Sequence, residues 1–221
     1  FSDPHNLLSY RNTRAHNTLL VDGIGQPFTT RAYGDIVRMF NGEHISYALG
    51  DASNAYCGIS ESPMWQKNFA NHNLEQSREN GFGETPLKKY RRHIFLLHPN
   101  ILVIYDELEA GKAVRWDWML HSPVKFQIDE ATSTLTTRNK KSRYTSVARL
   151  FSEQKCTISQ TDKFAAEPNT KAGVRGEDFT SPWSLTASYA PSKTNRILTI
   201  IQVEADGNRI VDIKHADSNS F

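Results

Sequence analysis

Apolar and polar residues alternate in short runs along most of this 221-residue chain, with a period of two, the spacing of a strand with one buried face. Leu19-Leu20-Val21 is an apolar run closed by Asp22-Gly23, a pair that favours a tight turn. In "DIVRMFNGEHISYALGD" two strands flank Asn41-Gly42, the strongest short-range hairpin signal in the chain, and Ile45, Tyr47 and Leu49 alternate after it. "LKKYRRHIFLLHPNILVIYDELEAG" predicts a second hairpin about Pro99-Asn100, with Ile101 to Tyr105 apolar enough to be buried on both faces. "AVRWDWMLHS" sends Val114, Trp116, Trp118 and Leu120 to one face and Arg115, Asp117, Met119 and His121 to the other. Weaker strands are predicted at "STLTTR", "YTSVARLFS", "RILTIIQVEA" and "NRIVDIKH", the last two joined at Asp206-Gly207.

No long window carries a helical period; "QKNFANHNLEQSREN" predicts one short exposed helix. Residues 52–85 and 162–182 break the strand rhythm, and loops of that length in a compact domain are functional or disordered. Many short strands punctuated by Gly, Pro and Asn predict antiparallel sheets packed face to face: an all-β sandwich of the large, many-stranded type with little or no helix. Nothing reads as a repeat or an interdomain linker, so residues 1–221 form one domain, long enough to bury a sizeable core.

Charge narrows the function. The net charge of +2 comes from 26 basic and 24 acidic residues of mixed order, which is no footprint for duplex nucleic acid. No apolar run approaches a membrane span. Cys57 and Cys156 lie far apart without metal-site spacing; two buried free thiols are expected, a single disulfide being the alternative. Phe1 is followed within twenty residues by a strand, with no initiator Met or secretion signal, so the chain is expected to be an N-terminally truncated fragment of a longer multidomain protein.

Candidate chemistry is sparse. There is no H-x-x-x-H or C-x-x-C pair, no G-x-S-x-G elbow and no glycine-rich phosphate loop. His93 shares a strand face with Lys89, Arg91, Phe95 and Leu97; it is either a basic substrate contact or a hydrogen-bonded residue near a sheet rim. His121 and His98 belong to strand ends or turns, and His5, His44, His72 and His215 have no partners at recognisable spacing. Trp116 and Trp118 read as core, which leaves Trp65 and Trp183 as the candidates for exposed sugar-stacking platforms. Asp106, Glu107 and Glu109 alternate along a strand end, and sequence does not show two carboxylates facing across a cleft, as glycosidase chemistry requires.

"YRNTRAHNTLLVDGIGQ", then "YRRHIFLLHPNILVIYDELEA" and "VRWDWMLHS", resemble in order the heparinase II/III-like family of polysaccharide lyases. The first motif is fairly specific and the later ones are looser; together they span roughly residues 5 to 122. The resemblance implies a β-sandwich that follows an N-terminal α/α toroid, in an enzyme that is secreted or periplasmic. It implies β-elimination on a uronic-acid-containing glycan: the C5 proton is abstracted, the 4-O bond breaks and an unsaturated uronate results, with Tyr and His as acid and base. Those groups would lie upstream, so no catalytic residue is assigned here and the isolated chain is expected to be inactive. It also implies a structural zinc for which His16, in Ala15-His16-Asn17-Thr18, supplies one ligand of an incomplete set; Asn17 and Thr18 would fix the strand start. Substrate contacts are expected at His93 and Trp65, and the partner is an acidic polysaccharide, heparin/heparan sulfate-like or alginate-like. Loss of the toroid should leave a sheet edge through which the chain dimerises. A non-catalytic carbohydrate-binding or assembly module is the alternative.

Overall fold

The computed structural model describes residues 3–139, 143–168 and 181–204; the expected strand at 208–215 and its Asp206-Gly207 turn lie outside them. Strands dominate, all antiparallel. β1 (Leu19–Val21) precedes the hairpin of β2 (Asp35–Asn41) and β3 (Ile45–Asp51). A two-residue pair, β4 (Cys57–Gly58) with β5 (Gly83–Glu84), brackets the helix α1 (Pro63–Asn71). Then come β6 (Leu87–Leu97), β7 (Ile101–Ser122), β8 (Gln127–Asp129), β9 (Thr134–Asn139), β10 (Tyr144–Ser152), β11 (Cys156–Thr161) and β12 (Trp183–Glu204). The main sheet runs β2-β3-β6-β7-β12-β10-β9-β8, with β1 added to β7 and β11 to β12.

Turn chemistry fixes the hairpins. Asp22 and Gly23 both take positive φ (54° and 81°), as a two-residue turn between Val21 and Ile24 requires. The Asn41-Gly42 hairpin and the Pro99-Asn100 hairpin pair as expected, Phe40 with Tyr47 and Leu97 with Ile101. The helix starts at Pro63, whose missing N–H is no loss in a first turn, and stops where Asn73 turns left-handed (φ 52°) and Leu74 N–H returns to the Phe69 carbonyl. It therefore begins three residues before the expected stretch. It is also not wholly exposed, because Phe69 is buried beside Leu7, Leu8 and Phe82.

Two predicted strands are one. β7 runs unbroken from Ile101 to Ser122, with its partner β12 equally long. Pairing between them shifts register where Tyr189, Ser192 and Thr194 face Trp116, Val114 and Glu109, which sets Ala110 to Ala113 on β7 against Lys193 alone on β12. An extra stretch of this kind bends a strand. The bend is sharp: Asp106 and Trp118 are twelve residues apart, about 40 Å along a straight strand, yet Trp118 Nε1 donates to Asp106 Oδ2 at 3.1 Å. β7 and β12 thus fold the sheet over on itself, and the two halves become the layers of the sandwich. One core fills the space, with Trp116, Trp118, Leu185 and Tyr189 from the far half against Leu108, Leu135, Leu150 and Ile197 from the near half.

Burial departs from alternation in two places. Of Ile101 to Tyr105 only Ile104 is buried, because the outer face of the near layer has no second layer over it among the described residues. On the tryptophan strand Asp117 and Met119 are buried along with the apolar face. Asp117 is closed off by Arg115 and by the hydroxyl of Ser188. Cys57 and Cys156 are free thiols, each half-buried. No helix among the described residues is long and apolar enough to cross a membrane.

The fold-back rests on Asp106, which has no exposed surface. Arg92 grips it with two bonds, Nε to Oδ1 at 2.7 Å and Nη2 to Oδ2 at 2.9 Å. Removing one partner of such a pair strands a buried charge and costs about 3–5 kcal/mol. Asp106→Ala should therefore lower unfolding free energy by that amount in urea titration, whereas Trp118→Phe, which forfeits one hydrogen bond, should cost about 1 kcal/mol. The double variant Asp106→Ala/Arg92→Met should recover part of the loss. An Asp106→Ala protein as stable as the parent would show that the pair does not hold the layers together.

Candidate functional site

The site grows from the segment before β1. Asn12, buried, caps a single helical turn at Thr13–Ala15 by accepting the Arg14 N–H at 3.2 Å, while its own amide donates to the Asn80 carbonyl at 2.8 Å. The turn ends at His16, whose backbone is extended (φ −126°, ψ 156°) and whose N–H closes onto the Thr13 carbonyl. Asn17 and Thr18 anchor the entry to β1. The Asn17 carbonyl accepts Arg92 Nη1 at 2.6 Å, and its side-chain oxygen accepts both the backbone N–H of His121 at 2.8 Å and His121 Nδ1 at 3.0 Å. The Thr18 carbonyl accepts the Met119 N–H, and Thr18 Oγ1 lies 3.5 and 3.4 Å from the hydroxyls of Tyr56 and Tyr90. His16 is therefore an exposed imidazole on backbone held from both sides.

Electrostatics under this segment is set by burial. Burial opposes the charge on Arg92, but Asp106 more than offsets it and holds the guanidinium pKa above its ordinary value. Burial pushes the phenols of Tyr56 and Tyr90 up, with Asp106 adding to the rise, so both stay protonated, and Tyr56 donates to the Leu19 carbonyl at 2.6 Å. His121 is pushed down by burial, with repulsion from His16 adding and the Arg14 carbonyl, 3.1 Å from Nε2, working against it.

His16 opens onto a groove of about 260 Å³ lined also by Arg11, Thr13, Thr18, Gln26, Pro27 and Phe28. Thr13 Oγ1 accepts the Gln26 N–H at 2.7 Å, which ties the two walls together. Gly25 makes that approach possible: a Cβ there would fall 2.3 Å from the Thr13 Cβ. Arg11 lies with its guanidinium carbon 5.3 Å above the Trp65 ring, and its Nε donates to Asn6 Oδ1 at 2.9 Å. A second cleft of about 380 Å³ opens between the layers beside Leu120, Phe126 and Leu135; its titratable lining residues are His121 and Tyr144.

The structure does not bring the expected site residues into one place. β6 alternates, so Arg92 points inward to Asn17 while His93 points to the outer face. There His93 Nδ1 lies 2.9 Å from the Tyr47 hydroxyl, and its Nε2 lies 3.8 Å from Glu107. Trp65 stands on α1, half-buried, with Phe28 packed on it at 5.0 Å and Arg11 over it, so it backs two residues of the groove and is not an open platform. Trp183, half-buried at the start of β12, has the Lys125 ammonium 5.0 Å from its ring centre. Arg92 and Arg11 were not singled out by sequence, and Asp106 was named only among the carboxylates of a strand end. Arg92 and Asp106 had a signal: opposite charges on the inward phase of two adjoining apolar strands.

Zinc binds tightly with three or four protein ligands. Among the described residues no three His, Cys, Asp or Glu side chains gather as a metal-ligand set. His16 shares its groove with an arginine, two threonines and a glutamine, so these residues alone do not fit a zinc ion.

Similarity to known proteins agrees with this fold. The family described as heparinase II/III-like, C-terminal, matches residues 1–214. A lysine-methylated heparinase III superposes with a TM-score of 0.62 at 11% identity, over 88% of this chain and 24% of its own. Heparan sulfate lyase HepC from Pedobacter heparinus gives 0.59 at 10%, over 88% and 25%, and another heparinase III gives 0.59 at 14%, over 94% and 27%. At such identities these neighbours show a shared fold, and the chain spans about a quarter of their length. No curated protein sequence matches it. With its sandwich, its Ala15-His16-Asn17-Thr18 strand start and a family match over nearly its whole length, the chain belongs to the heparinase II/III-like family, as the C-terminal domain.

Proposed function

We propose that this chain is the β-sandwich domain of a polysaccharide lyase that cleaves a uronic-acid-containing glycan by β-elimination. The family match over residues 1–214 carries the reading. The groove beside His16 supports it as one side of a glycan cleft, with an arginine, hydroxyl groups and an apolar floor at Phe28. Elimination needs a base for the C5 proton, an acid for the leaving oxygen and a counter-charge for the developing anion. The groove residues supply a counter-charge in Arg11 and one imidazole, and among the described residues no tyrosine or carboxylate lines it. The acid and base therefore belong to an α/α toroid in a longer, secreted or periplasmic protein, and the substrate is a heparan sulfate-like or alginate-like acidic polysaccharide. The purified 221-residue chain should release no unsaturated uronate from either polymer, followed by the ultraviolet absorbance of the new double bond, and the longer protein should release it. Sustained turnover by the short chain would place the proton-transfer groups here; no turnover by the longer protein would favour a binding or assembly module.

His16 is, on this reading, one ligand of a zinc site completed by the longer protein. Elemental analysis of the 221-residue chain should find no stoichiometric zinc, while the longer protein should carry it and lose it on His16→Ala. One zinc per short chain, indifferent to that substitution, would put the ligands elsewhere.

The reading also gives the sheet edge a role. All seven residues of β2 are exposed, including Ile36 (70%) and Met39 (77%), and nothing lies within 4 Å of a Cβ built on Gly50 of the neighbouring strand. Edges of this kind recruit further strands. The chain should form a dimer in light scattering, and Met39→Lys should shift it to monomer; a monomer at all concentrations would leave β2 without this role.

A further inference from the structure

Four arginines of this chain, Arg92, Arg115, Arg91 and Arg31, each pair with a carboxylate, that of Asp106, Asp117, Asp51 and Glu61. Arg14, half-buried in the helical turn before His16, pairs with none among the described residues. Its Nε donates to Asn12 Oδ1 at 3.2 Å and its Nη2 to the Glu79 carbonyl at 3.1 Å, so both partners are neutral oxygens. Glu79 lends its carbonyl and not its carboxylate. The second hydrogen of Nη2 and both hydrogens of Nη1 have no acceptor among the described residues. Burial lowers the guanidinium pKa, and no acid works against it. A partly desolvated cation of this kind gains from an incoming anion, with which it makes charge-assisted bonds.

The guanidinium also has a prepared seat. Gly81 takes positive φ (84°) and leaves room for it, since a Cβ there would fall 2.8 Å from Nη2. The Gly81 carbonyl accepts the Gly25 N–H at 2.9 Å, and Gly25 packs on Thr13, which lines the His16 groove. Asn12 is buried and bonded to the Asn80 carbonyl, so the oxygen that holds Nε is itself fixed. The ionisable groups beside this turn, His16 and His121, bring no negative charge. Resting on the function proposed above, we propose that Arg14 is an anion-binding residue at the rim of the glycan groove, receiving an acidic group, carboxylate or sulfate, of a sugar unit next to the one at His16. Glycan is favoured over a protein carboxylate because the bond from Nη2 lies on the exposed side and an acidic polysaccharide repeats its charge along the chain.

Calorimetric binding of the purified 221-residue chain to a sulfated uronate oligosaccharide, to its carboxyl-reduced form, to its desulfated form and to the neutral form treated both ways decides the matter. The parent should prefer the acidic oligosaccharide to the neutral one, and Arg14→Ala should bind the acidic one about tenfold more weakly, the effect of losing a hydrogen bond to a charged group. Binding of the neutral form should not change, which a merely structural role for Arg14 would not allow. Arg14→Lys, which keeps the charge, should retain part of the preference, and Arg196→Ala, an equal loss of charge at an exposed position on β12, should retain all of it. Should Arg14→Ala lose its fold, Arg14→Gln keeps a polar side chain beside Asn12 and Glu79 and gives the same comparison. Loss of the Arg14 dependence on carboxyl reduction alone identifies the anion as the uronate, and loss on desulfation alone identifies it as sulfate; either supports the proposal. It is overturned if Arg14→Ala binds the acidic oligosaccharide as the parent does, as pairing with a carboxylate of the longer protein would give. Equal weakening toward the acidic and neutral forms, or a parent without preference for the acidic one, overturns it too. Release of unsaturated uronate by the longer protein is a separate readout, so the lyase reading stands or falls independently of Arg14.

Discussion

A carboxylate with no access to water organises this domain. Asp106 sits on β7 with no exposed surface, and an isolated charge there would be several kcal/mol out of balance. Arg92 balances it from β6, Trp118 Nε1 caps it from the opposite layer, and the remaining reach of Arg92 ends on the Asn17 carbonyl. Three parts of the chain distant in sequence are thereby placed relative to one another: the near layer, the tryptophan strand and the segment that presents His16. An apolar pair of similar volume could fill the same space with equal stability. It could not fix the Asn17 carbonyl, so the ion pair is better understood as a device for register than as a source of stability.

The local parts of this fold were legible in sequence because their causes are local. Asp22-Gly23, Asn41-Gly42 and Pro99-Asn100 each specify a turn within a few residues, and β10 occupies the residues its alternation predicts. The joining of "ILVIYDELEA" to "VRWDWMLHS" was not legible. Gly111 has the same appearance whether it ends a strand or lies in a corner within one, and only the non-local contact of Trp118 with Asp106 decides between them. The helix start at Pro63 was displaced for a different reason: Phe69 is its one buried residue, too little to set a helical period.

The site divides in the same way. His16 was visible through the motif that contains it, and the structure adds why the motif has its form. Asn17 takes two bonds from His121 through one oxygen, and Thr18 sits under two buried phenols, so the residues after His16 are committed to holding backbone. Arg11 carried no pattern, since its partners Asn6 and Trp65 lie five and fifty-four residues away and only the fold stacks them. His93 had a clear phase but no indication of which sheet face was enclosed. One residue of register separates it from Arg92 and places it on the opposite side of the sheet from His16.

The chemistry of the groove derives from this rigidity. General acid–base catalysis requires two groups with different proton affinities facing the same bond, and at least one must be tuned by its neighbours. The tuned groups here, Tyr56, Tyr90 and Arg92, are beneath the surface and engaged in holding the strand start. What reaches the groove is an arginine braced on an indole, a single imidazole and neutral hydrogen-bonding groups. Such a set can orient an acidic sugar and stabilise its charge without moving its proton. On the lyase reading proposed above, a groove of this composition serves as a binding wall, and the proton transfer falls to groups other than those that line it.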